Sequence, residues 1–153
     1  MNKSGLNQSA LKESALNRSL FVWPIRVYYE DTDSGGVVYH ANYLNFMERA
    51  RTEWLRALGF EQTELKTALG IIFVVHSMAL SFKSPAHFND MLAVNNQCIK
   101  MGHGSMEFLQ TITRNEQVLL EATVKLACVD TINFRPTSIP NTVKQAVSTT
   151  IDE

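Results

Sequence analysis

Residues 31–42 hold an unusual density of types that take part in chemistry: Asp31, Asp33, Gly35, Gly36, Tyr39, His40 and Asn42. The adjacent glycines let the backbone bend sharply and approach a ligand closely. A helical pattern begins directly afterwards, so unpaired N–H groups around Tyr39 to Tyr43 point into that bend. Such donors stabilise the oxyanion formed when a carbonyl carbon is attacked, by about 3 kcal/mol for each well-placed group. A carboxylate on the other side of the carbonyl activates water or attacks directly. The run therefore contains both halves of an acyl-transfer site, and spacing does not choose between Asp31 and Asp33. The competing account is that both aspartates cap a turn or the helix dipole.

The same run partly imitates a calcium loop, with carboxylates at positions one and three and glycine at position six. Position five is Gly35 and position twelve is Asn42, so two ligands are missing and no metal is expected. Glu48, further along the helix, is a second candidate acid, although a solvated helix carboxylate is the commoner case.

Positioning such a loop requires a strand before it and a helix after it. Phe21 to Tyr29 is rich in aromatic and β-branched residues, with Pro24 placing it near an edge or bulge. Tyr43, Phe46, Met47, Ala50, Trp54 and Leu58 then recur at helical spacing, while Glu48, Arg49, Arg51, Glu53 and Arg56 cover the other faces. Gly59 is a natural stop. The helix spans about 16 residues, or about 24 Å, enough to cross a sheet. From Ile71 to Lys83 residues alternate, and both faces of the first half are apolar, which predicts cover on both sides by the helix and by another layer or subunit. Strands follow at Met91 to Met101, Ser105 to Arg114 and from Val118 to Cys128, separated by Gly102-His103-Gly104 and Asn115-Glu116-Gln117. One strand, one long helix and four strands imply an α+β fold with helices on one face of an antiparallel sheet.

The 153 residues, 45% hydrophobic, suffice for one domain. We expect a flexible extension over residues 1–19, the domain over 20–140, and a tail or short helix over 141–153. With 14 basic and 15 acidic residues the chain has no field to attract nucleic acid. No apolar run is long enough for a membrane span or a signal-peptide core, so stable membrane insertion is not expected. Cys98 and Cys128 form no CxxC pair and read as buried free thiols in a reducing compartment, which points to the cytoplasm.

The run from Arg26 through Tyr28-Tyr29-Glu30-Asp31-Thr32-Asp33-Ser34-Gly35-Gly36-Val37-Val38-Tyr39-His40 to Leu44, followed by Glu48-Arg49-Ala50-Arg51-Thr52-Glu53, resembles the signature of the 4-hydroxybenzoyl-CoA thioesterase family, above all its Tol-Pal-associated acyl-CoA thioesterases. The likeness covers about residues 21 to 136. It implies a hotdog fold, in which an antiparallel sheet wraps one long central helix and subunits pair into dimers and tetramers. It assigns catalysis to Asp33 and His40, with the His40 backbone N–H polarising the thioester carbonyl, and leaves Asp31 a supporting role. Phe73, Val74 and His76 of a partner subunit would meet the acyl group, and Tyr29 and Tyr39 would border the site. The implied substrate is an acyl-CoA, or an acyl group on acyl carrier protein, with no cofactor. A hydratase or dehydratase on the same fold, and a non-catalytic protein that binds acyl carrier protein or lipid-synthesis enzymes, are the alternatives. Lys83, Lys100, Lys125 and Arg135 are available to CoA phosphates but read as ordinary exposed charges.

Overall fold

The computed structural model describes residues 20–151, so the extension expected over residues 1–19 lies outside the described residues. Strands β1 (Phe21–Arg26), β2 (Ile71–Phe82), β3 (Met91–Met101), β4 (Ser105–Arg114) and β5 (Gln117–Asp130) form one antiparallel sheet in the order β1-β3-β4-β5-β2. Helix α1 (Asn42–Ala57) lies on one face of it. A short turn, α2 (Gln62–Glu64), runs into a π-helical turn at Leu65–Leu69, and α3 (Asn141–Ser148) closes the described chain. The architecture is α+β, as the element order predicts.

The core forms between α1 and the sheet because Tyr43, Phe46, Met47, Ala50 and Trp54 return to one side every third or fourth residue. They meet Leu92, Val94, Phe108, Ile112 and Val124, which alternate inward along the strands. Trp54 packs edge-on against Phe108 at 5.1 Å between ring centres, a favoured aromatic geometry. Val143 and Val147 of α3 are fully buried in the same core. Gly59, with φ 101°, ends the helix in a conformation that favours glycine. Asn115 and Glu116, with φ 51° and 70°, make the tight turn between β4 and β5.

Three details depart from the residue pattern. β1 ends at Arg26 rather than Tyr29, because the Asp31 carboxylate takes the Tyr28 N–H and rolls Tyr29–Asp31 into a 3-10 turn. Arg51 is buried, at 8% exposure, rather than on a solvated face, and Leu55 fills the core where Leu58 is only partly buried. In β2 the pairing with β5 skips His76: Val75 faces Leu126 and Ser77 faces Lys125. That bulge resets the alternation. Ile71, Phe73 and Val75 before it share the inner face with Met78 and Leu80 after it, which strict alternation would set on opposite sides.

Candidate active site

The loop ahead of α1 is organised by Asp31, which is 5% exposed. Its Oδ2 accepts the Tyr28 N–H at 2.8 Å, its Oδ1 accepts the Asn42 side-chain amide at 2.7 Å, and its carbonyl accepts the Tyr39 N–H at 2.9 Å. Beyond it, Thr32 and Val38 form an antiparallel bridge and the Asp33 N–H donates to the Val37 carbonyl at 2.9 Å. Residues 33–36 are therefore the tip of a miniature hairpin. Asp33 Oδ1 accepts the Gly35 N–H at 2.8 Å, and the Asp33 carbonyl accepts the Gly36 N–H at 3.0 Å. A Cβ at residue 35 would stand 3.2 Å from Asp33 Oδ1, and Gly36 has φ 82°, so each glycine has its own reason to be there. Both carboxylates hold N–H donors, which is turn and anchor chemistry.

Asp33 remains exposed, with only one oxygen engaged by a hydrogen bond. His40 and Tyr39 are exposed too, their rings tilted against each other at 4.7 Å. The N-cap residue of α1 is Ala41, which brings no side-chain acceptor, and the first turn carries no acid. Among the described residues the backbone N–H groups of His40 and Ala41 have no acceptor. A helix start of this kind keeps its dipole and orphan donors for an incoming oxygen. No hydrogen bond or ion pair joins Asp33 to His40 among the described residues; Asp31 connects their segments, through Asn42 on one side and the chain on the other.

A second loop, residues 83–90, buttresses the first. Val37 bridges His87, the Val38 N–H donates to the Ala86 carbonyl at 2.9 Å, and the Ala86 N–H donates to the buried Tyr43 hydroxyl at 3.0 Å. Burial pushes the Tyr43 phenol above its ordinary value. At the loop's end the Asp90 carboxylate accepts the His87 N–H at 2.8 Å and Arg114 at 2.7 Å. Burial alone would raise the Asp90 carboxyl; these donors outweigh it and hold the group below the usual value. Tyr29 stacks on Phe88 of this loop at 3.9 Å, in the 3-10 turn rather than on a strand.

Beside α1 a cleft of about 370 Å³ runs from Leu44 and Asn45, one helical turn beyond His40, toward Leu55 and Gln62. Phe73, Val75, Met78, Met106, Phe108 and Leu126 form its apolar wall, and Glu48, Arg51 and Thr52 line the helix side. Of the strand residues singled out in the sequence, Phe73 reaches this cleft. Val74 pairs with Ala127 on the other face, and His76 sits exposed in the bulge. Val75 and Met78, not singled out beforehand, are drawn into the wall together by that bulge. No residue-type signal marks it.

A family model described as the thioesterase-like superfamily matches residues 27–147. The acyl-CoA thioesterase YbgC of Haemophilus influenzae is 46% identical over 126 residues, covering 82% of this chain and 93% of that protein. The acyl-CoA thioester hydrolase YbgC of Escherichia coli O6:H1 is 46% identical over 129 residues, covering 84% and 96%. Among solved structures, a probable thioesterase from Bartonella henselae superposes with a TM-score of 0.76 at 34% identity, covering 79% of this chain and 99% of that one. The sheet, its single long helix and the loop ahead of it are thus those of a hotdog protein, and the chain belongs to the thioesterase-like superfamily.

Proposed function

We propose that this protein hydrolyses the thioester of an acyl-CoA to the free acid and the thiol, with Asp33 and His40 at the reacting centre. The observation that carries this reading is the pairing of an exposed carboxylate at a glycine turn with an uncapped helix start, both anchored through Asp31. In this reading the substrate carbonyl oxygen accepts the His40 N–H, and the developing oxyanion is held by the helix start. Asp33 either takes a proton from the attacking water or attacks the carbonyl carbon itself, giving an anhydride that water then opens. Collapse breaks the C–S bond, the thiolate leaves and is protonated, and one water is consumed overall. Tyr29 and Tyr39 border the entrance. Acyl carrier protein is an alternative carrier of the same thioester.

The acyl group meets Phe73 of β2 in a second copy, with His76 in the bulge beyond it, β2 being a free sheet edge; Val74 faces the other side of the sheet and takes no part in this reading. The working form is accordingly a homodimer, or a tetramer of two dimers, acting in the cytoplasm. No helix among the described residues is long and apolar enough to cross a membrane.

A panel of acyl-CoAs of increasing length, followed by thiol release and by enoyl absorbance, tests the reaction. Thiol release supports hydrolysis. An absorbance change without thiol would mark a hydratase or dehydratase, and neither signal would leave a non-catalytic binding protein.

A further inference from the structure

Among the described residues, Asn96 alone is buried with the polar atoms of its side chain unpaired: it is fully enclosed on β3, and neither Oδ1 nor Nδ2 meets a partner. It alternates with Leu92, Val94 and Cys98, which all turn into the core, so an apolar side chain would be the ordinary occupant. A buried amide that bonds nothing forfeits the whole of its hydration. The contrast with the next residue is plain. Asn95, on the other face of the strand, donates to Thr111 across the ladder at 2.9 Å, whereas Asn96 finds nothing.

Directly across the ladder from Asn96 stands Gln110, also fully buried. Its Oε1 accepts the Arg51 guanidinium at 3.0 Å, and its Nε2 donates to the Met47 carbonyl at 3.1 Å. A primary amide donates and accepts more than once, so Gln110 keeps spare capacity on both atoms and Asn96 keeps all of its own. Facing side chains on one side of a sheet start about 5 Å apart at Cβ. The two amides nevertheless do not bond directly. The neighbours on that face cannot serve Asn96: Val94, Phe108, Ile112 and, opposite it on β1, Phe21 are apolar, and the Cys98 thiol is turned to the Lys100 carbonyl at 3.6 Å. Neutral amides enclosed in this way, with donors and acceptors to spare, are the setting in which globular proteins hold internal water. An ion would bring a charge that neither amide balances.

We propose that Asn96 and Gln110 bind a water molecule inside the core, where β3 and β4 face α1. The water spans the interval between the two amides, engaging the free atoms of Asn96 and the spare capacity of Gln110. Because Gln110 also holds the Met47 carbonyl, the bridge extends a polar connection from β3 to the middle of α1. The site lies within one chain and stands whether or not the proposed reaction does.

The test compares long-lived internal waters by ¹⁷O magnetic relaxation dispersion on the full-length protein, wild type beside Asn96→Leu, which resembles the amide in shape without its polarity. The folded variant is expected to lose one long-lived water relative to wild type, and an equal signal in the two proteins would overturn the inference. Asn95→Leu, on the opposite face of the strand, is expected to keep the water; the same loss there would assign the signal elsewhere and overturn the site. Should Asn96→Leu not fold, a high-resolution crystal structure of wild type decides alone. Electron density for a water within hydrogen-bonding reach of both amides supports the site. A direct bond between Asn96 and Gln110, or no density between them, would overturn it.

Discussion

The side-chain amide of Asn42 donates to Asp31 Oδ1 at 2.7 Å, so the first residue of α1 is fastened to the carboxylate that also shapes the turn before Asp33. The spacing between the exposed carboxylate and the free N–H groups at His40 depends on this one bond more than on any contact between the two residues themselves.

Replacing Asn42 with Ala removes that donor from a buried carboxylate. Equilibrium urea unfolding is expected to give a loss of about 1–3 kcal/mol. In thiol-release kinetics kcat should fall more than KM rises, because the helix start drifts while β2, against which the acyl group is placed, is untouched.

Tyr43→Phe deletes the hydroxyl that accepts the buried Ala86 N–H. The stranded donor predicts destabilisation of about 1–3 kcal/mol. Amide exchange at Ala86 and Val38 should quicken, whereas exchange in the middle of β4 should follow only the global change.

Asp90 governs an acid-side effect. Its folded carboxyl lies below the ordinary value, so the unfolded chain binds a proton first as pH drops. The stabilisation is present above the unfolded value and is lost as pH falls through the folded one. Asp90→Asn should therefore flatten the acid limb of a thermal-stability-versus-pH curve and lower the plateau at neutral pH.

Burial pushes the Cys98 and Cys128 thiols up to about 11. Native protein should show almost no reaction with a thiol reagent at neutral pH, and denatured protein two equivalents. Fast modification of either cysteine in the native state would contradict their placement in the core.

The helix and the strands were legible because their signals are local and repeated: Tyr43 to Trp54 keep one period, and β4 and β5 alternate around a two-residue turn apart from one bulge that skips Leu119. Asp31 and Asp33 were legible as a pair, but their different duties depend on which N–H groups each carboxylate finds, and those come from Tyr28, Asn42 and Gly35. Arg51 was misread because charge alone suggests solvent, while its burial depends on Gln110, 59 residues away. The wall of the cleft was hidden by the bulge at His76, where a single extra residue moves Met78 to the face of Phe73 and Val75. Phe88 likewise gained meaning only when the 83–90 loop brought it against Tyr29.

The most direct test of the account is thiol release by Asp33→Asn beside wild type, with a preferred acyl-CoA and with folding verified by circular dichroism and thermal unfolding. Asp33 is exposed and its Oδ1 bond to Gly35 can be kept by asparagine, so the variant should fold and lose at least about 100-fold in kcat. A folded Asp33→Asn protein that turns over every active acyl-CoA near the wild-type rate would contradict the assignment.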